Sequence, residues 1–549
     1  MKQKRAVIGL AFAALFFAVL LPPEAYPDGK LAVILCATFA FFSSLYERRI
    51  HPTYIKGGLA AFALFILHIV LFSIDTYRSL EFLTILWAYY CLFGFFFYAG
   101  FEPEKPLAIC LVVLSAIVSG YGLYQYFWGF DQLYNYISYA DSDRILKIPA
   151  LERIASRRVF STLALPGTLW GFLTLALPFH ARLWGESRSR VKALLAGGVA
   201  MLLAAGFLTR SFGFLLGLFV LATTWLLLHY RRVSLRLAPV VLVLALAGGA
   251  FYAIRQGGIA SSNPLSLRAM NWITAWTVFA AHPMGTGLNT YGVVYPQYML
   301  PGANETQYTH NTPLQLLSEL GYLGLIAGAG VMLLLLGAWH RGEMRRLSPY
   351  LLLALTVWIV HNLIDINVYF PSLGVIGAVL IGTMMRKPQV APQLQATTAG
   401  TVSVAALGLI TLVFAGLVMV SSELQVRAQR EYEENRLEPA VATLETAKAI
   451  MPINSSLFHD SGDIQLNLYH KKHDGNHLNR ATQSFQRAIA LSPHKVGPHI
   501  GLSLCLSSAN RIEDARAELR VAGRLHPDST YIQAIARLLE KRKTVITTN

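Results

Sequence analysis

Apolar residues arrive along this chain in long unbroken runs, not at the alternating spacing of strands or on the single stripe of an amphipathic helix. Thirteen runs read as membrane-length helices, over 6–22, 30–46, 57–74, 80–99, 106–128, 161–181, 193–208, 211–229, 236–254, 312–338, 348–364, 366–385 and 400–420. Crossing a bilayer as helix takes about 17–25 apolar residues, which these runs approach or meet. The polar positions between them are unevenly charged. Lys2, Lys4 and Arg5, Arg48, Arg49 and Lys56, Arg182, Arg188, Arg190 and Lys192, Arg231, Arg232 and Arg236, Arg341, Arg345 and Arg346, and Arg386 and Lys387 all fall on one side of the alternation. Basic loops mark the cytoplasmic side. The connection from Gly100 to Lys105 on that side is only weakly basic. The opposite side receives residues 129–160, the turn at Thr209–Arg210, a large loop over 255–311 and everything after 420.

Past residue 423 the pattern changes to charged, amphipathic helix with an internal repeat. Ala440, Ala481 and Ala515 each stand twelve residues before a proline, at Pro452, Pro493 and Pro527. The last two prolines are 34 residues apart and the first two 41, as though seven residues were inserted near His470–Asn476. A 34-residue period with small residues at helix contacts and proline after the second helix resembles tetratricopeptide repeats. Proline stops a helix because it lacks the amide donor. Such repeats imply a surface for a protein partner, not chemistry.

Composition agrees with this reading. Of 549 residues 54% are apolar and only 14% charged, with a mean hydropathy of +0.47, against about 25% charged in soluble domains. The expected fold is all-α: a polytopic membrane helix bundle over 1–422, and a soluble α-solenoid on the outer side over 423–549. The net charge of +16 would suit nucleic acid, but its carriers sit in short loops and no reading motif accompanies them, so no nucleic-acid partner is expected. Cys36, Cys91 and Cys110 lie in apolar runs and Cys505 stands alone, so neither a metal spacing nor a disulfide framework results. The first run follows basic residues as a secretory signal would. It lacks a small-x-small cleavage site and reads as a retained helix.

Candidate chemistry gathers in the outer features. Arg268 lies in SLRAMNWITAW with Trp272 and Trp276 at helical spacing, tryptophans being usual at a lipid–water boundary. Arg268 is either a snorkelling surface cation or a phosphate clamp, since guanidinium binds phosphate oxygens by paired hydrogen bonds. His310 precedes Asn311-Thr312-Pro313, where Asn311 or Thr312 can cap a helix and Pro313 suits its first turn. A helix N-terminus favours anions and disfavours a second proton on a nearby imidazole, which leaves that ring available as a base. Arg210 occupies the turn LTRSFG, and Arg157 and Arg158 stand where their charge opposes a helix dipole, ahead of a span expected to be interrupted at Pro166-Gly167. His361 and Asp365, four apart at the outer end of a span, are expected to pair in a supporting role. Asp141 and Asp143 are isolated, and no acidic cluster is spaced for Mg²⁺.

RVFSTLALPGTLWGFLTLALP, the turn Thr209-x-Ser211-x-Gly213, Arg268-x-x-x-Trp272-x-x-Ala275, Pro283-x-Gly285-x-Gly287 and HNTPLQLLSELG together resemble the bacterial O-antigen ligase/polymerase superfamily, over roughly 80–385. The resemblance implies an inner-membrane glycosyltransferase that needs no metal or cofactor. It would move a glycan from undecaprenyl diphosphate to a lipid, glycan or protein acceptor on the periplasmic face. Carried over, Arg268 is a diphosphate ligand and His310 the base, with Asn311 beside them and Trp272 and Glu319 in support. Where ligases commonly have arginine after the serine of the T-x-S-R-G turn, this chain has Phe212. The second clamp is therefore Arg210, or else Arg157 and Arg158. The acceptor, and so the choice among ligase, polymerase and protein O-glycosyltransferase, is not encoded in these motifs. A lipid-linked-glycan flippase or an export scaffold built on the repeats is the reading outside the enzyme class. A flippase should carry charge deep in its spans, whereas here charge collects at their ends.

Overall fold

The computed structural model describes residues 2–23, 25–47, 50–139, 154–163, 165–229, 264–340, 348–386 and 398–548. Outside them lie the expected span 236–254, the start of the outer loop (255–263), Asp141 and Asp143, and the basic residues Arg48, Arg49, Arg231, Arg232, Arg236, Arg341, Arg345, Arg346 and Lys387. Every described element is helical. In chain order they are α1 (Lys2–Leu20), α2 (Pro27–Tyr46), α3 (Pro52–Phe72), α4 (Thr76–Phe97), α5 (Glu104–Tyr124), a π-helical turn (Gln125–Gly129), α6 (Phe130–Tyr139), α7 (Pro166–Glu186), α8 (Ser189–Leu208) and α9 (Phe212–His229). Then follow α10 (Pro264–Ala281), α11 (Tyr291–Tyr298), α12 (Thr312–Leu320), α13 (Tyr322–His340), α14 (Pro349–Ile364), α15 (Pro371–Met384) and α16 (Thr398–Glu433). The tail holds α17 (Leu437–Ile450), α18 (Ser455–Lys472), α19 (Gly475–Leu491), α20 (Val496–Ser508), α21 (Ile512–Leu525) and α22 (Thr530–Thr548).

Among the described residues six helices are long and apolar enough to cross a membrane: Pro27–Tyr46, Pro52–Phe72, Thr76–Phe97, Glu104–Asn135, Ser189–Leu208 and Ala399–Glu433. Shorter apolar helices cover Ala6–Leu20, Gly213–Leu228, Tyr322–Val331, Pro349–Ile364 and Pro371–Met384. The chain is a multi-pass membrane protein. Two expectations are corrected. The run 312–338 is not one helix, because Gly321 has φ +58° and separates α12 from α13. Pro166 does not interrupt a span but opens α7 at its first turn, where the missing amide is of no consequence.

The chain forms two compact units. The first comprises the described residues of Met1–Phe62, Thr84–Gly258 and Ala329–Leu412. Within it α7 packs on α5, α8, α9 and α14, and α1 on α2. An aromatic knot binds α2, α3 and α4: the rings of Tyr54 and Tyr90 stack at 4.6 Å, and the buried Trp87 indole donates to Thr38 Oγ1 at 2.9 Å. Buried polar groups of this kind must find partners, since no water replaces them in a membrane.

The second unit comprises the described residues of Ala63–Leu83, Ile259–Gly328 and Val413–Asn549. Its tail is a helix-pair solenoid in which Ala440, Ala481 and Ala515 are fully buried at the helix contacts. The prolines expected as stops follow α17, α19 and α21. The seven extra residues of the longer period extend one hairpin. Helices α18 and α19 have 18 and 17 residues, against 13 and 14 in α20 and α21. Phe485, Leu502, Cys505, Leu519 and Ile532 form one continuous core of the solenoid.

Candidate active site

The second unit assembles its loop around the start of α12. Asn311 is extended (φ −159°, ψ 107°) and its side chain accepts from the Leu314 amide at 2.9 Å, so it is the helix cap; Pro313 sits in the first turn. Immediately before it His310 has φ +54°, a left-handed conformation uncommon for a residue with a Cβ. Both flanks of His310 are fixed. The Thr309 amide donates to Gln315 Oε1 at 2.8 Å, the Asn311 amide donates to Thr309 Oγ1 at 3.1 Å, and that hydroxyl donates to Asn311 O at 2.7 Å. His310 itself is half-buried.

About two turns into α12, Glu319 is fully buried. Its carboxylate accepts from the amides of Asn289 (2.6 Å) and Tyr291 (3.0 Å) and from Gln315 Nε2 (2.8 Å). Its backbone oxygen accepts from the Gly287 amide at 2.9 Å. The Pro283-x-Gly285-x-Gly287 turn is thus bound to α12 chiefly through Glu319, with Thr286 Oγ1 also donating to Ser318 O at 3.5 Å. Glycine is needed here. Gly285 has φ +87°, and a Cβ on it would lie 2.2 Å from Glu319 O, while one on Gly321 would lie 2.1 Å from Pro283 O. The turn's other side is held by residues 68–79. Ser79 Oγ donates to Leu288 O (2.9 Å), the Ile74 amide donates to Thr286 O (2.9 Å), and His68 Nε2 lies 2.7 Å from Met284 O.

Arg268 lies on α10, which packs against α12. It is partly exposed, and Trp276 is exposed, whereas the Trp272 indole nitrogen is shielded and meets no acceptor among the described residues. Between them the buried Asn271 joins α10 to α11: its backbone oxygen accepts from Tyr291 Oη at 3.0 Å and its Oδ1 from Tyr295 Oη at 2.8 Å. Arg268, His310, Asn311, Trp272 and Glu319 therefore belong to one unit.

The remaining candidates belong to the other unit. Arg158 Nε donates to Thr209 O at 3.1 Å, Arg210 Nη1 donates to Ser156 O at 3.2 Å, and the Val159 amide donates to Leu208 O at 3.1 Å. Arg157 pairs with Asp131 at the start of α6. The alternatives for a second clamp, Arg210 or Arg157 with Arg158, therefore stand on two segments hydrogen-bonded to each other, and Arg157 and Arg210 share a φ of +48°. His361 Nε2 lies 3.6 Å from Asp365 Oδ2, both buried. Asp365 is not within α14 as its spacing suggested but ends it, in an extended conformation (φ −151°, ψ −167°). The His361 ring rests on Trp170 with centroids 4.1 Å apart, and Trp170 also lies against Gly213 of the T-x-S-x-G turn.

Three features escaped the sequence reading. Gln315 was overlooked although it stands four before Glu319 on the same helix face. The tyrosine pair Tyr291 and Tyr295 has the same spacing, and burial drives the Tyr291 hydroxyl well above its usual range. The third is contact between loop and repeats. Ser455 Oγ lies 3.5 Å from Asp75 Oδ2, Lys495 Nζ donates to Ser456 Oγ at 2.7 Å beside them, and His526 Nε2 lies 3.7 Å from Glu305 Oε1. His282, at the head of the glycine turn, meets His494 with ring centroids 6.3 Å apart and Tyr298 Oη at 3.2 Å. Burial lowers the His282 pKa. Burial first, then the neighbouring His282 and His499, lowers that of His494. Among the described residues no three His, Cys, Asp or Glu side chains meet as a metal site would require.

Residues 196–329 match the family model described as O-antigen ligase, and residues 475–539 match a tetratricopeptide repeat model. The first match spans the T-x-S-x-G turn, Arg268, the glycine turn and the His310–Gly321 element. The second spans α19 to α21 and the first half of the following helix. No curated protein matches the chain.

Proposed function

We propose, from the O-antigen ligase match across 196–329 as premise, that the protein transfers a glycan from undecaprenyl diphosphate to an acceptor outside the bacterial inner membrane. In this reading residues 1–422 form the membrane domain with its transfer loop over 255–311, the N-terminus is cytoplasmic, and 423–549 are a periplasmic repeat domain. The acceptor hydroxyl attacks the anomeric carbon of the donor sugar as the bond to diphosphate breaks, which inverts that centre. His310 takes the hydroxyl proton; a neutral imidazole suits general-base work near pH 7. Arg268 neutralises charge growing on the leaving diphosphate, the part a metal plays elsewhere.

The observation that carries this reading is the fixed left-handed conformation of His310 at the N-terminus of α12. A strained backbone persists only where its surroundings over-determine it, and such positions cluster at working sites. The helix end adds amide donors and a positive dipole that favour an anionic donor.

The test uses purified protein with an undecaprenyl-diphosphate-linked oligosaccharide and candidate acceptors, followed by mass spectrometry. Wild type should release undecaprenyl diphosphate, with His310→Ala and Arg268→Ala each lowering transfer by about 100-fold or more. EDTA should leave the rate unchanged. Product mass distinguishes a polymerase, a ligase and a protein O-glycosyltransferase. Wild-type transfer by His310→Ala, or abolition by EDTA, overturns the reading.

A further inference from the structure

We infer that Gln315 is a positioning residue for His310, an inference that rests on the transfer reading above. Gln315 lies on α12 with no solvent exposure, five residues beyond His310. A leucine would fill such a place on a buried helix face without the cost of burying an amide. The amide is used at both ends. Oε1 accepts from the Thr309 amide at 2.8 Å, and Nε2 donates to Glu319 Oε1 at 2.8 Å. Glu319 is fixed in turn by the Asn289 and Tyr291 amides, so the side chain of Gln315 links the glycine turn to the residue before His310.

The need for such a link follows from the backbone. The left-handed region is unfavourable for a residue with a Cβ, which crowds the following carbonyl. The cap at Asn311 and the Thr309 hydroxyl fix the chain after His310. Before it, the Thr309 amide is held by Gln315. Without that bond only the Thr309 hydroxyl contacts to Asn311 remain, the peptide entering His310 can relax, and the imidazole moves from the acceptor hydroxyl. A base works only within hydrogen-bond reach, and misplacement by about 1 Å can lower the rate about 100-fold.

The experiment compares full-length wild type, Gln315→Leu, Gln315→Asn, His310→Ala and the double variant Gln315→Leu/His310→Ala. Asn retains the amide but is one methylene short, which keeps the test open if Leu disturbs folding. Gln315→Leu should lower kcat by about 100-fold with the donor KM within about twofold, because the misplaced group acts on the reacting hydroxyl and not on donor binding. In the His310→Ala background the same change should lower residual transfer by less than about twofold, since a residue acting through an absent one has nothing left to alter. Amide exchange of the peptide containing Thr309 should accelerate in both Gln315 variants. Additive losses, a raised KM at constant kcat, or unchanged Thr309 exchange would overturn the inference. If His310→Ala is inactive and Gln315→Leu matches wild type, Gln315 has no such role and the transfer reading stands. If His310→Ala matches wild type, both fall.

Discussion

Gly285 and Gly321 decide whether the loop over 282–311 closes on α12. Each has positive φ, and each carries its Cα into the backbone of the other's segment. Alanine at either position adds strain of about 1–3 kcal/mol and a methyl group where a carbonyl already stands. Gly302 provides a control, with φ +79° but open space around it. In thermal unfolding Gly321→Ala and Gly285→Ala should lower the midpoint clearly more than Gly302→Ala does; equal shifts would mean that the close approach is not felt. The sequence discloses that P-x-G-x-G is a turn, because glycine spacing reports backbone freedom. It does not disclose what the turn lies against. The roles of Glu319 and Gln315 depend on amides at 289, 291 and 309 that composition and periodicity leave unmarked.

At the scale of elements, legibility followed the physics each pattern records. The alanine and proline period identified the helix pairs of the tail, because small contacts and helix stops are written in side chains. The break between α12 and α13 was hidden within 312–338, because hydropathy averages across Gly321 and cannot register a backbone angle. The packing of the glycine turn against the repeats brings a pH dependence. His282 and His494 both have pKa values lowered by burial, and they face Tyr298, His499 and each other. His499 is itself bound to Glu518 at 2.9 Å. The folded form thus holds fewer protons than the unfolded one. The stability contributed by the neutral rings is present above the free imidazole pKa of about 6.5 and is lost as pH falls through it. Hydrogen-exchange protection around 282–298 and 491–500, taken relative to the base-catalysed intrinsic rate at each pH, should be lower at pH 5.5 than at pH 7.5, with the difference reduced in His494→Gln. A pH-independent pattern would remove this pair from the stability of the contact.

Over the whole molecule, the sequence separated a wet loop from a distant repeat domain, and the structure joins them in one compact unit. Contacts such as Asp75 with Ser455, 380 residues apart, leave no trace in local pattern. Removal of residues 437–549 should therefore do more than delete a docking surface. It should expose 282–311 to protease and lower transfer at least about tenfold, as expected when working groups lose their support. Full activity in the truncated protein would restrict the repeats to recruiting partners. The three-part origin of this unit, from 63–83, 259–328 and 413–549, also bears on how the protein is made. A growing chain has already synthesised His310 and Arg268 while the segment that completes their surroundings is still unread. The loop over 282–311 gains its packing only once residues 413–549 have followed it, so that a product that stalls before them carries the loop without the helices that hold it.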